Sequence, residues 1–104
     1  MLTFEDVLEI FRDYLPFDPF LEVLKSRTGY VRLGFEEGSR YCVGVICRTA
    51  EELFDLLLSD FQAHMEIRMT GGCRALQAQE SEEIELLRQK YIARKAAKLL
   101  EKTV

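Results

Sequence analysis

The chain contains no asparagine, one histidine, two prolines and three cysteines among its 104 residues. Without asparagine, backbone positions that need positive φ fall to the six glycines. An odd number of cysteines excludes a fully paired disulfide framework. Cys42 and Cys47 lie five residues apart in one expected strand, so they point to opposite faces and share neither a bridge nor a metal there. Reduced, packed or partly exposed thiols are the expectation. No stretch approaches eighteen apolar residues, so no membrane-spanning helix is expected. The opening MLTFEDVLEIF mixes acids with apolar residues, where an export signal has a basic start and an unbroken apolar run. The cytoplasm is the expected compartment.

Also lacking are metal-ligand spacings, a phosphate-cradling glycine loop and a nucleophile elbow. His64 is the only imidazole, and nothing in the sequence brings it to Cys42, Cys47 or Cys73. The expectation is therefore no catalytic residue, no cofactor and no metal. The net charge of −4 conceals an asymmetry: residues 1–66 hold thirteen acids against six bases, residues 67–104 five acids against eight bases. An acidic whole disfavours a protein whose main surface embraces nucleic acid, because that affinity rests on neutralising phosphates.

What is present fits one α+β domain over residues 1–104, long enough for a single core. Residues 30–48 alternate as a β-hairpin. Val31, Leu33 and Phe35 share one face of the first strand, and Tyr41, Val43, Val45 and Cys47 share one face of the second. A loop of Glu36, Glu37 and Gly38, with Gly38 left-handed, sets Leu33 opposite Tyr41 and Val31 opposite Val43, and so merges both apolar faces. That face is expected to lie under helices, since two strands alone are marginal. The back face, with Tyr30, Arg32, Cys42 and Gly44, is expected to be thinner and more polar.

Around the hairpin the pattern is helical. Thr3 caps a first helix with Asp6 at its third position, and Val7, Leu8, Ile10, Phe11, Tyr14 and Leu15 form its apolar stripe before Pro16. FDPFLEVL predicts a second, short helix with Asp18 as its cap and Pro19 at its first position, closed by Gly29. Thr49-Ala50-Glu51-Glu52 is a capping box opening a long helix over about 50–70. Met65, Ile67 and Met69 also alternate, so the alternative is a second hairpin over 64–78 turning at Gly71-Gly72. A last helix covers about 81–102, acidic at its start and basic later, as a helix dipole prefers.

That last helix carries two features of functional interest. Ile84, Leu87 and Tyr91 share one face, while Ile92, Ala96, Leu99 and Leu100 share another about a third of a turn away, a candidate seam for self-association or a partner protein. Lys90, Arg94 and Lys98 recur every four residues, with Arg88 and Lys95 beside them, as a candidate contact for phosphate or an acidic protein surface. A solvated face complementing the dipole explains the same run. The expected function is a small cytosolic interaction or assembly protein without catalytic activity, bound to itself or to another protein and not to a membrane. The alternatives are a nucleic-acid-binding accessory protein using the basic stripe, and a thiol-dependent enzyme or redox protein using Cys42, Cys47 or Cys73 with His64.

Overall fold

The computed structural model describes residues 1–36, 38 and 40–103. The fold is α+β, and the described residues form three α-helices and a three-stranded antiparallel sheet in the order β1-β2-β3. Helix α1 spans Phe4–Ile10, β1 Leu21–Ser26, β2 Gly29–Phe35, β3 Cys42–Cys47, α2 Ala50–Thr70 and α3 Ala78–Glu101.

Local chemistry explains the helix boundaries. Thr3 caps α1 as expected, its Oγ1 accepting from the Asp6 amide at 3.1 Å, and the Asp6 carboxylate accepts from the Thr3 amide at 2.9 Å, which makes the cap a reciprocal box. At α2, Thr49 accepts from the Glu52 amide, but the reciprocal arm is displaced: the Glu52 carboxylate takes the amide of Arg48, not that of Thr49. Gly71, left-handed at φ 65°, ends α2. Residues 64–70 are therefore helix, and the second hairpin over 64–78 does not form. Helix α3 begins earlier than residue 81, because Glu80 both accepts from the Gln77 amide at 3.0 Å and pairs with Arg74 at 2.7 Å.

The segment FDPFLEVL differs from the expected second helix. After a single 3-10 turn at Leu15–Phe17 it runs extended as β1, matched residue for residue to β2 from Leu21↔Gly34 to Ser26↔Gly29. Asp18 accepts from the Phe20 amide two residues on, a local turn that opens a strand. The physical reason is competition: a helix this short is marginal alone, whereas the strand completes a ladder with β2. Gly29 serves as a close-approach residue there. Its φ is 153°, and a Cβ on it would lie 2.3 Å from the Cys47 carbonyl oxygen.

The hairpin register also differs from expectation. Leu33 pairs with Gly44 and Val31 with Ile46, three residues along from the expected partners. Glu37, on which the expected loop turned, lies outside the described residues. Gly38 is left-handed as expected, at φ 75°. The odd shift turns the hairpin inside out. Tyr30, Arg32 and Cys47 face the helices, while Val31, Leu33 and Phe35 share the outer face with Leu24 of β1 and Ile46 of β3. Three contacts fix this orientation: Tyr30 donates to Glu5 of α1 at 3.2 Å, Arg32 pairs with Asp60 of α2 at 3.0 Å, and Cys47 is buried where the chain enters α2.

The core lies between the sheet and the helices. Phe11, Tyr14, Phe54, Phe61 and Tyr91 meet ring to ring at its centre, with Phe11 stacked on Tyr91 at 4.8 Å. Val7, Ile10, Leu53 and Leu57 fill the remainder. The backbone measures only 18 Å in its thinnest direction, the depth of one sheet and one helix layer, so among the described residues no third layer covers the sheet's outer face.

Candidate functional site

Two surfaces stand out. The first is the outer face of the sheet with its β3 edge. Leu24 is 46 % exposed and Ile46 54 %; Val31 and Leu33 are partly covered by their neighbours, and Phe35 stands at the rim. Gly44 leaves a shallow site among them, which Leu33 and Val31 lean across: a Cβ there would lie 3.3 Å from Leu33 Cδ2. Glu22 of β1, opposite Leu33, is exposed on the same face and puts a charge at its β1 side; the remainder is an exposed apolar patch of the kind that marks interaction sites.

Strand β3 adds an edge to that face. Among the described residues its one neighbour is β2, and every residue from Cys42 to Ile46 is exposed. On the helix side Val43 is 69 % exposed and Val45 is also open to solvent. The strand contains no charged residue and no proline, the usual devices that keep an edge from pairing with another chain. Arg40 and Arg48 flank it, just outside the paired residues.

The second surface is a cleft of about 330 Å³ between α2 and the β1–β2 side of the sheet. Phe20 and Ile67 form its exposed rims, and the Arg32–Asp60 pair lies in its floor. Arg32 Nη2 donates to Asp60 Oδ1 at 3.0 Å; Nε and Oδ2 stand 3.0 Å apart but off the hydrogen-bond line, and both atoms are buried. Burial raises the Asp60 carboxyl above its ordinary value even with Arg32 beside it. Asp18 sits at one end, its Oδ2 taking the Tyr14 hydroxyl and its Oδ1 the Phe20 amide. His64 Nδ1 is 3.8 Å from Asp18, and its ring lies 5.5 Å from that of Tyr14. Burial and the Asp18 carboxylate together push the Tyr14 hydroxyl well above its usual range, so it stays a donor.

No family model, curated protein or solved structure matches this chain.

The basic stripe of α3 faces acids of its own chain. Asp13 takes Arg94 at 2.9 Å, Lys90 at 3.4 Å and the Tyr91 hydroxyl at 3.0 Å; Glu9 takes Lys98 at 2.8 Å, and Asp6 takes Lys102 at 3.0 Å. Arg94 also donates to the Ile10 carbonyl at the end of α1. Of the remaining cations, Arg88 pairs with Glu85 and Lys95 lies 4.6 Å over the Phe54 ring. Partial burial raises the Asp13 carboxyl, but the hydrogen bonds from Arg94, Tyr91 and Lys90 outweigh it and hold it at about 2. The Thr3 amide, helped by Lys102, holds Asp6 at about 2 as well. The stripe thus clamps α3 to α1, and phosphate contact would have to break those pairs.

The apolar seam on α3 is divided. Leu99 packs against the core, whereas Ile92, Ala96 and Leu100 are exposed, Leu100 at 66 %. Cys42 is exposed on the sheet's outer face, Cys73 is exposed after α2, and Cys47 is buried with its thiol pushed up by that burial. His64 turns to Asp18 and Tyr14. Among the described residues no group of three or more His, Cys, Asp and Glu side chains could hold a metal ion. No helix among them is long and apolar enough to cross a membrane.

Sequence reasoning missed the outer face and the cleft alike. The signal for the first was the alternation of Leu21, Val23, Glu22 and Leu24 leading into Gly29, which extends the hairpin to three strands and adds apolar residues to both faces. The cleft had no sequence signal, because Arg32, Asp60 and Asp18 meet only once β1 is a strand.

Proposed function

We infer that this chain is an assembly protein without catalysis of its own, and that its partner is a second copy bound through the sheet. The observation that carries the reading is the exposure of β3 on both faces at once: Val43 and Val45 on the helix side, Cys42 and Ile46 on the outer side. A partner lying on the outer face covers only one of these sets. A strand paired along the edge covers both and satisfies the unpaired backbone groups.

The second copy is favoured by the strand's own symmetry. Antiparallel pairing about a twofold axis requires residue i opposite j and j opposite i. With Gly44 on the axis, Val43 of one copy lies opposite Val45 of the other, and Cys42 opposite Ile46. Two three-stranded sheets then become one of six strands, with all helices on one side. Each outer face measures roughly 14 by 20 Å from strand spacing and rise. Pairing sets two of them side by side, and stacking two such surfaces gives a tetramer.

Near the ends of the paired strands Arg40 of one copy approaches Arg48 of the other. Added salt screens that repulsion, so association tightens with ionic strength, the opposite of phosphate binding. Multi-angle light scattering tests the reading. The wild-type chain is expected as dimer and tetramer, Leu24→Lys on the far strand's outer face as dimer only, and Val43→Lys as folded monomer. A wild-type chain that is monomeric at micromolar to millimolar concentration overturns it.

A further inference from the structure

Independently of self-association, we propose that the cleft between α2 and the β1–β2 side of the sheet binds a small monocarboxylate with an apolar body, held by Arg68 at its mouth. Arg68 lines the cleft, and among the described residues it has no hydrogen-bond or ion-pair partner. The other charged groups there are already committed. Asp60 and Arg32 neutralise each other, and both oxygens of Asp18 accept hydrogen bonds from the chain. The Asp18 side chain is only 10 % exposed, whereas Arg68 is exposed, so the charge open to a ligand at the mouth is positive, and a guanidinium matches a carboxylate with two parallel hydrogen bonds.

The remainder of the lining selects an apolar body. Phe20 and Ile67 stand on opposite rims, both exposed, and Leu21 and Ala63 add to the apolar lining. Gly34 keeps the floor open, since a Cβ there would come within 2.8 Å of Arg32 Nη1. A volume of about 330 Å³ lies at the small end for ligand sites, which fits an aromatic or branched acid of roughly six to ten carbons. The carboxylate stays at the wet mouth on Arg68, and the ring enters between Phe20 and Ile67.

The test is an amide NMR titration with 3-phenylpropionate, alongside 3-phenylpropylamine, which has the same skeleton and the opposite charge. The acid is expected to shift the resonances of Phe20, Ala63 and Ile67 saturably at millimolar concentration, and the amine to leave them in place. Arg68→Gln is expected to weaken the acid by about tenfold or more, as the loss of a charge-assisted hydrogen bond predicts. Arg68→Lys, which keeps the charge but loses the paired donors, should bind less tightly than wild type and more tightly than Arg68→Gln, and Ala63→Phe, which fills the cleft, should abolish binding while unfolding at the wild-type temperature. Absence of saturable shifts with the acid, equal binding of the amine, or an unchanged affinity in Arg68→Gln each overturns the proposal.

Discussion

Gly29 and Gly38 both have positive φ, yet they answer to different constraints. Gly38 has nothing within 4 Å of the position a Cβ would take, so Gly38→Ala costs only the left-handed backbone term, about 1 kcal/mol. Gly29 adds a 2.3 Å approach to the Cys47 carbonyl, which forces the β2–β3 backbone to move. Gly29→Ala is expected to destabilise by about 3 kcal/mol or more, measured by urea unfolding. Arg32 and Asp60 supply a second residue-scale expectation. Removing one partner leaves the other charge half-buried, so Asp60→Ala costs about 3 kcal/mol, while the double variant Arg32→Leu/Asp60→Leu recovers most of that loss. Equal losses in single and double variants would show that the pair is replaceable by solvent. Neither constraint was legible in the sequence. Gly29 resembled a helix stop, and Arg32 lay on what looked like the polar back of a hairpin.

At the scale of elements, the pairing of α1 with α3 governs the response to acid. Asp6, Glu9 and Asp13 lie on the side of α1 and its exit that meets Lys102, Lys98, Arg94 and Lys90 of α3. The folded values of Asp6 and Asp13 are depressed to about 2, below the ordinary 3.8. Stability from these groups is therefore fully present above the unfolded value and lost as pH falls from about 4 through about 2. Asp13→Asn should lower the urea midpoint at pH 6 and show a smaller further fall between pH 4 and pH 2 than the wild type; parallel curves would mean that Asp13 contributes nothing to the clamp. Capping chemistry made α1, α2 and the α2 stop legible, because Thr3, Thr49 and Gly71 act on their own neighbours. The basic run on α3 was visible too, but its acidic partners lie more than seventy-five residues away. β1 was misread because a six-residue segment is decided by the strand it meets.

For the whole molecule, the α+β class and the hairpin followed from periodicity, while the side of the hairpin that faces the core did not. Both faces of β2 and β3 carry enough apolar area to be covered. The choice was made by Tyr30 reaching Glu5, Arg32 reaching Asp60 and Cys47 entering the core, three long-range contacts that push Val31, Leu33 and Phe35 outward. The same choice leaves, among the described residues, a largely apolar outer face and an uncharged β3 edge uncovered, and the proposed function rests on that edge. Hydrogen exchange of the Cys42–Cys47 amides against protein concentration tests it most directly. Pairing between copies predicts that the outward-pointing amides of β3 gain protection as concentration rises and lose it in Val43→Lys, with the core amides of α2 unchanged. Protection of β3 that is independent of concentration and identical in Val43→Lys would contradict the account.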